Sequence, residues 1–97
     1  MRVVFLDQVL ALVETPQATK TRLPVAVITA LRHKLVVIRA APDERTLRNW
    51  KSLHYEKLMN RGDERSIRLN KQYRLVFTID TRSSPPTVTV VSVEDYH

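Results

Sequence analysis

The chain has 97 residues, an apolar content of 43% and a formal net charge of +6. This size predicts a single domain over residues 1–97 with a hydrophobic core, and the apolar content argues against intrinsic disorder. The absence of cysteine excludes disulfides and thiolate metal sites, and no apolar stretch approaches the roughly 20 residues of a membrane span. The N-terminal segment lacks the pattern of a signal peptide, so the cytoplasm is the expected compartment.

The first predicted elements are a strand and a short helix. Residues 2–6 form an apolar run rich in β-forming residues, which predicts a strand. Asp7 can cap a short helix that extends through Glu14. This helix ends before Pro16, because a residue that precedes proline resists the helical conformation.

A longer helix is predicted next. Pro24 suits a first helical position, and the helix extends to about Ala41, where Pro42 ends it. A further helical turn, capped by Asp43, extends through Trp50. Apolar residues recur on one face of the longer helix at spacings of 4, 4 and 3: Val27, Leu31, Leu35 and Ile38.

The second half of the chain changes to a period of two. Alternating apolar residues predict strands over residues 67–69, 73–79 and 87–95, with a proline-containing turn before the last of them. A strand, helices and then three strands indicate an α+β domain. We expect a small antiparallel sheet with two to three N-terminal helices packed on one face, so the other face must meet solvent or a ligand.

Two arginines are predicted to face each other in this sheet. A three-residue loop at 70–72 places Arg68 directly across from Arg74. Like charges opposite each other destabilise a sheet, so the pair indicates an anion-binding position. The alternative is that both side chains reach apart into water.

The positive charge is concentrated in one segment. Residues 45–74 contain nine basic and three acidic residues, so they carry all of the net charge of +6. A localised basic excess is typical of proteins that bind a polyanion, most often a nucleic acid. The alternative is a solvated surface that only keeps the protein soluble.

The last three residues combine an acid, a phenol and an imidazole. Strand alternation predicts that Asp95 and His97 share one face and that Tyr96 points to the other. An acid beside a histidine can orient the imidazole for general acid–base catalysis. The alternative is a polar tail without a chemical role.

Several motifs in the second half of the chain resemble the HigB branch of the RelE-like toxins of bacterial toxin–antitoxin pairs. They are "SLHYEKL" with His54, "GD" at 62–63, "SIRLNKQYRLVF" at 66–77 and the closing Asp95-Tyr96-His97. The first forty residues are similar to this family only in their layout of a strand and two helices. The family fold, a small antiparallel sheet with helices on one side, agrees with the fold predicted above.

The resemblance implies a ribosome-dependent endonuclease that cuts messenger RNA in the decoding site of the small ribosomal subunit, next to ribosomal RNA. A HigA-like antitoxin would silence it. Cleavage would need no metal or cofactor: a base activates the ribose 2′-hydroxyl, which attacks the adjacent phosphate, and an acid protonates the leaving 5′-oxygen. The residues implied as catalytic are His54, Asp95, Tyr96 and His97, and the cations implied at the phosphate are Lys57, Arg68 and Arg74. Which histidine is the base stays open.

One departure and two alternatives accompany this resemblance. Glu64 and Arg65 stand where family members commonly carry a glycine and an aromatic residue, so the loop after Lys57 differs. The same superfamily includes inhibitors of DNA gyrase, and an inactive RNA-binding relative would keep the same motifs. His33 is expected to be a solvated helix residue, and Trp50 to be an anchor facing the core or the antitoxin.

Overall fold

The computed structural model describes residues 1–95 and shows an α+β architecture in which helices cover one face of a five-stranded mixed sheet. None of the helices in this part of the chain is long and apolar enough to cross a bilayer. The strands and helices have the following bounds: β1 Arg2–Phe5, α1 Val25–Ala40, α2 Glu44–Asn49, β2 Glu56–Lys57, β3 Arg65–Arg68, β4 Tyr73–Asp80 and β5 Thr87–Asp95. Short 3-10 turns occupy Leu10–Glu14, Ala18–Thr21 and Lys51–Leu53.

The helix predicted between Asp7 and Glu14 is instead a 3-10 turn over Leu10–Glu14. The Asp7 carboxylate accepts hydrogen bonds from the backbone N–H groups of Val9 and Leu10, at 2.8 and 3.4 Å, but the turn begins later than predicted and its N-cap is Val9, so Asp7 is not the N-cap residue. The two buried residues of this turn, Leu10 and Val13, are three apart, which matches the three residues per turn of a 3-10 helix.

The two α-helices match their predicted positions within one residue. The predicted stripe on α1 is the centre of the core, where Leu31, Leu35 and Ile38 are fully buried. Pro24 precedes the first residue of α1, and Ala41 follows the last. The helix α2 is capped as predicted, because the Asp43 carboxylate accepts from the Thr46 N–H at 3.3 Å.

The strand order is β1-β5-β4-β3-β2. All neighbouring pairs are antiparallel except β1 and β5, which are parallel, so the prediction of a wholly antiparallel sheet is wrong at this one pair. The chain leaves β1 through the helical layer and reaches β5 only after three other strands, which allows it to return in the same direction. The two-residue strand β2 was not predicted, because two residues are too few to show a period of two.

The register of the β3–β4 hairpin is the predicted one. Ile67 lies opposite Leu75 and Arg68 opposite Arg74, which confirms the placement of the loop at 70–72. Ile67 and Leu75 point into the core. Because side chains alternate along a strand, Arg68 and Arg74 point to the opposite face of the sheet, which we call the open face.

A bulge in β5 decides which of its side chains reach the open face. Phe77 lies opposite Val90, but the next residue back along β4, Val76, lies opposite Ser92, so Val91 is an extra residue in the ladder. Beyond the bulge Glu94 lies opposite Arg74 and therefore points to the open face.

Candidate functional site

The His54 side chain lies beside Arg68 on the open face. His54 ends the 3-10 turn Lys51–Leu53 in the left-handed conformation, with φ 49° and ψ 50°. Few residues other than glycine adopt this conformation, although histidine does so more often than most, and such strain is concentrated at functional sites. The imidazole Nε2 lies 3.2 Å from Arg68 Nη1, and the His54 carbonyl oxygen accepts from Arg74 Nη1 at 3.3 Å. A single residue therefore contacts both arginines of the pair.

The contact between His54 and Arg68 restricts the tautomer that can form a hydrogen bond there. A guanidinium can only donate, so a hydrogen bond between the two side chains requires the tautomer in which Nε2 is the acceptor. Arg68 Nε also donates to the Asn70 carbonyl oxygen at 3.2 Å. Within residues 1–95, Arg68 has no carboxylate within ion-pair distance. No acid of the described residues therefore neutralises its positive charge.

Arg74 is held in place by two residues that the sequence did not indicate. Its Nη1 donates to the Oγ of Ser66 at 2.6 Å, and Glu56 Oε1 lies 3.5 Å from the same nitrogen. Ser66 is fully buried beneath the arginine. Its position two residues before Arg68 in the same strand is the signal that could have identified it, because residues two apart share a face.

The loop between β2 and β3 reaches across the open face to β5. Arg61 of this loop makes a two-pronged ion pair with Glu94, at 2.8 and 2.7 Å, and also lies 2.8 Å from Glu64. Ser92 Oγ donates to Glu94 at 2.6 Å. The hydrogen bonds from Arg61 and then Ser92 lower the pKa of Glu94 to about 2, and the bond to Glu94 raises the pKa of Arg61. Glu94 is thus ionised throughout the physiological range.

Two of the predicted site residues lie on the helix-covered side of the sheet. Asp95 lies opposite Tyr73, which packs against the core, and it accepts from Gln72 Nε2 at 2.8 Å. Lys57 lies opposite Arg65 and is exposed at the sheet edge. The structure therefore brings His54, Arg68 and Arg74 together, but it does not bring Asp95 or Lys57 to them. Tyr96 and His97 lie outside the described residues.

Two residues that were considered outside the site are both exposed. His33 is exposed on α1, as predicted. The Trp50 side chain is 47% exposed at the end of α2, so the expectation of a core anchor is wrong, whereas a role in antitoxin binding stays a prediction.

Comparisons with known proteins identify the family. Residues 4–92 match the model of a family described as the RelE-like toxin of the type II toxin–antitoxin system HigB. The YoeB/ParE toxin from Agrobacterium tumefaciens is similar over 100% of both chains, with a TM-score of 0.60 and 13% sequence identity, which supports the fold alone. No curated protein sequence matches the chain. Because the family model covers nearly the whole chain and the fold agrees, the protein belongs to the HigB-like family of RelE-like type II toxins.

Proposed function

We propose that the protein is a ribosome-dependent endonuclease that cuts messenger RNA during translation in the cytoplasm. The proposed reaction needs no metal: the ribose 2′-hydroxyl attacks the adjacent phosphate and the 5′-oxygen leaves. The observation that carries this proposal is the contact of His54 with Arg68 on the open face, at 3.2 Å. It joins a group that can take a proton to a cation that can hold a phosphate.

We assign His54 the role of the base. A hydrogen bond with Arg68 requires the tautomer in which its Nε2 is the acceptor, and only such a nitrogen can accept the proton of a ribose hydroxyl. When the RNA phosphate takes the guanidinium of Arg68, the same nitrogen becomes available to the 2′-hydroxyl. The left-handed backbone conformation of His54 directs its side chain towards Arg68.

The two arginines would stabilise the charge that develops on the phosphate. Arg68 has no carboxylate partner within residues 1–95, so its charge is available to the substrate. Arg74 is oriented from below by Ser66 at 2.6 Å, which reduces the reorganisation needed when the phosphate binds. We propose His97 as the acid that protonates the leaving oxygen and Tyr96 as a residue that contacts a base, on the resemblance of the closing triplet alone.

The type II toxin family implies a protein antitoxin as partner. We propose that a HigA-like antitoxin silences this toxin. The net charge of +6 favours fast, salt-sensitive association with an acidic segment of the antitoxin or with ribosomal RNA.

The test is to map RNA 5′ ends in a translating cell-free extract. We would compare the wild-type protein with His54→Ala, Arg68→Ala and His97→Ala, using His33→Ala as the matched control because His33 is exposed on α1. A message without a start codon reports cleavage that does not need translation. Circular dichroism confirms that each variant is folded.

The expected result is breaks within codons of the translated message only, unchanged in His33→Ala and lost in the three site variants. Equal cleavage of the untranslated message would contradict ribosome dependence. Intact messages with normal translation would indicate the inactive relative, and full activity of His54→Ala would remove His54 from the mechanism.

A further inference from the structure

A cleft of about 300 Å³ lies on the open face, directly beside Arg74. The loop between β2 and β3 forms one wall of this cleft, and the backbone of that loop is closed by a hydrogen bond from the Leu58 N–H to the Glu64 carbonyl at 2.9 Å. Arg61 closes the far side through its ion pair with Glu94. The residues that line the cleft are Glu56, Leu58, Arg61, Arg74, Val76 and Glu94.

The charges of this cleft balance each other. Glu56 lies 3.5 Å from Arg74, and Glu94 lies 2.7 Å from Arg61, so each cation of the lining has an acid beside it. A dianionic or monoanionic phosphate gains little from such a site. The neighbouring Arg68, opposite Arg74 in the next strand, contacts neutral acceptors instead within residues 1–95. The phosphate therefore binds at Arg68, with Arg74 opposite as the second cation beside it, and the cleft suits a neutral polar group attached to that phosphate.

The surfaces of the cleft suit a flat ring. Leu58 is half-buried and lines the cleft, so it offers an apolar side chain to a ligand, whereas Val76 is 1% exposed and only closes the floor. The guanidinium of Arg61 is fixed by Glu94 and Glu64 and does not have to be ordered when a ligand arrives. Guanidinium planes and apolar side chains are surfaces on which unpaired RNA bases stack.

We propose that this cleft binds a guanine base of the message next to the phosphate held by Arg68, and that Glu56 recognises it. This inference rests on the proposed function for the identity of the substrate. The Glu56 side chain is 54% exposed, and its contact with Arg74 is long at 3.5 Å, so its carboxylate can accept further hydrogen bonds. Among the four bases, only guanine presents two adjacent N–H donors, N1–H and N2–H, that match the two oxygens of a carboxylate.

The binding test does not need the ribosome or cleavage. The four nucleoside 3′-monophosphates are titrated into the ¹⁵N-labelled protein, and backbone amide shifts are followed by NMR. We expect guanosine 3′-monophosphate to bind at least about fivefold more tightly than uridine 3′-monophosphate, which is the lower end of the discrimination from a good bidentate contact. Its shifts should include the amides of Leu58 and Val76, which line the cleft.

Glu56→Gln is the decisive variant, because it keeps the shape of the side chain and replaces one acceptor by a donor. The preference for guanine should disappear in Glu56→Gln, while the phosphate-dependent part of the binding remains. Asp63→Asn, which removes an exposed carboxylate from the same loop at a position that does not line the cleft, is the control and should keep the preference. Equal affinity for all four nucleotides, or shifts that avoid the cleft, would overturn the proposal.

The same variants separate this inference from the proposed function. In the translating extract, Glu56→Gln should lose any excess of breaks at guanine over breaks at the other bases, whatever its total amount of cleavage. Selective guanine binding without cleavage of any message would sink the endonuclease and leave the guanine site standing. Cleavage whose base distribution is the same in the wild type and Glu56→Gln would contradict the guanine site and leave the endonuclease standing.

Discussion

The ion pair between Arg61 and Glu94 should make the protein lose stability in acid through one identifiable carboxylate. The pKa of Glu94 lies at about 2 in the folded state against an ordinary 4.5, first because Arg61 donates to it and then because Ser92 does. A folded-state pKa below the unfolded value means that the stabilisation is fully present above about pH 4.5 and is lost as the pH falls towards 2. The perturbation that tests this is Glu94→Gln, which cannot titrate.

The expected loss in the free energy of unfolding follows from the pKa shift of Glu94 after a correction for solvent exposure. At full strength, a pKa that falls from 4.5 to about 2 corresponds to about 3 kcal/mol. The Glu94 side chain is 36% exposed, so water screens the pair, and surface ion pairs contribute well below their Coulomb energies. We therefore expect Glu94→Gln to lower the free energy of unfolding by about 1 kcal/mol at pH 7 and by almost nothing near pH 2.

The assay is urea unfolding followed by circular dichroism at several pH values between 7 and 2. The difference between wild type and Glu94→Gln should shrink between pH 4.5 and 2, and Asp63→Asn should show no comparable difference at pH 7. Parallel curves for wild type and Glu94→Gln over this whole range would refute the reasoning, because the ion pair would then contribute nothing that depends on ionisation.

Three further substitutions test the backbone strain at His54, the support of Arg74 and the packing of the core. His54→Gly should be more stable than His54→Ala by about 0.5–1 kcal/mol in urea unfolding, because φ at this position is 49° and glycine adopts it without strain; equal stabilities would argue against strain. Ser66→Ala removes the acceptor beneath Arg74, so cleavage in the translating extract should fall about tenfold. The free energy of unfolding should fall by roughly 1 kcal/mol. Unchanged cleavage would show that Ser66 does not position Arg74 for the reaction. Phe77→Ala empties the centre of the core and should lower the free energy of unfolding by about 3–5 kcal/mol, and a thermal melt within a few degrees of wild type would contradict the assigned core.

The sequence predicts the elements well because their signals are local. The α1 stripe, its proline boundaries and the Asp43 cap each depend on a few neighbouring residues, and all are confirmed. The pairing of Arg68 with Arg74 is confirmed for a similar reason, since a short loop fixes the register of a hairpin. The parallel partner of β1 has no local signal, because its choice depends on the whole order of the sheet.

The site was predicted less completely because one bulge and one loop decide its composition. Simple alternation through β5 would put Asp95 on the open face, but the extra residue Val91 gives that face Glu94 instead. The extra residue is visible in the sequence, because valine alternates with threonine or serine over residues 87–93 except where Val90 and Val91 are adjacent. The reach of Arg61 to Glu94 spans 33 residues of sequence and leaves no periodic trace.

The parallel pairing of β1 with β5 has a consequence for the order in which the molecule is made. Protein synthesis delivers residues 2–5 before their one strand partner among the described residues, β5, which follows more than eighty residues later. Contacts that are so distant in sequence form late, because a long loop must close before they are rewarded. Until β5 has been synthesised, β1 and β4 lack the strand that lies between them in the sheet. Glu94 is then not yet present to hold the loop that carries Arg61. The arrangement of charges on the open face is completed only after the ribosome has synthesised Glu94, 33 residues after Arg61.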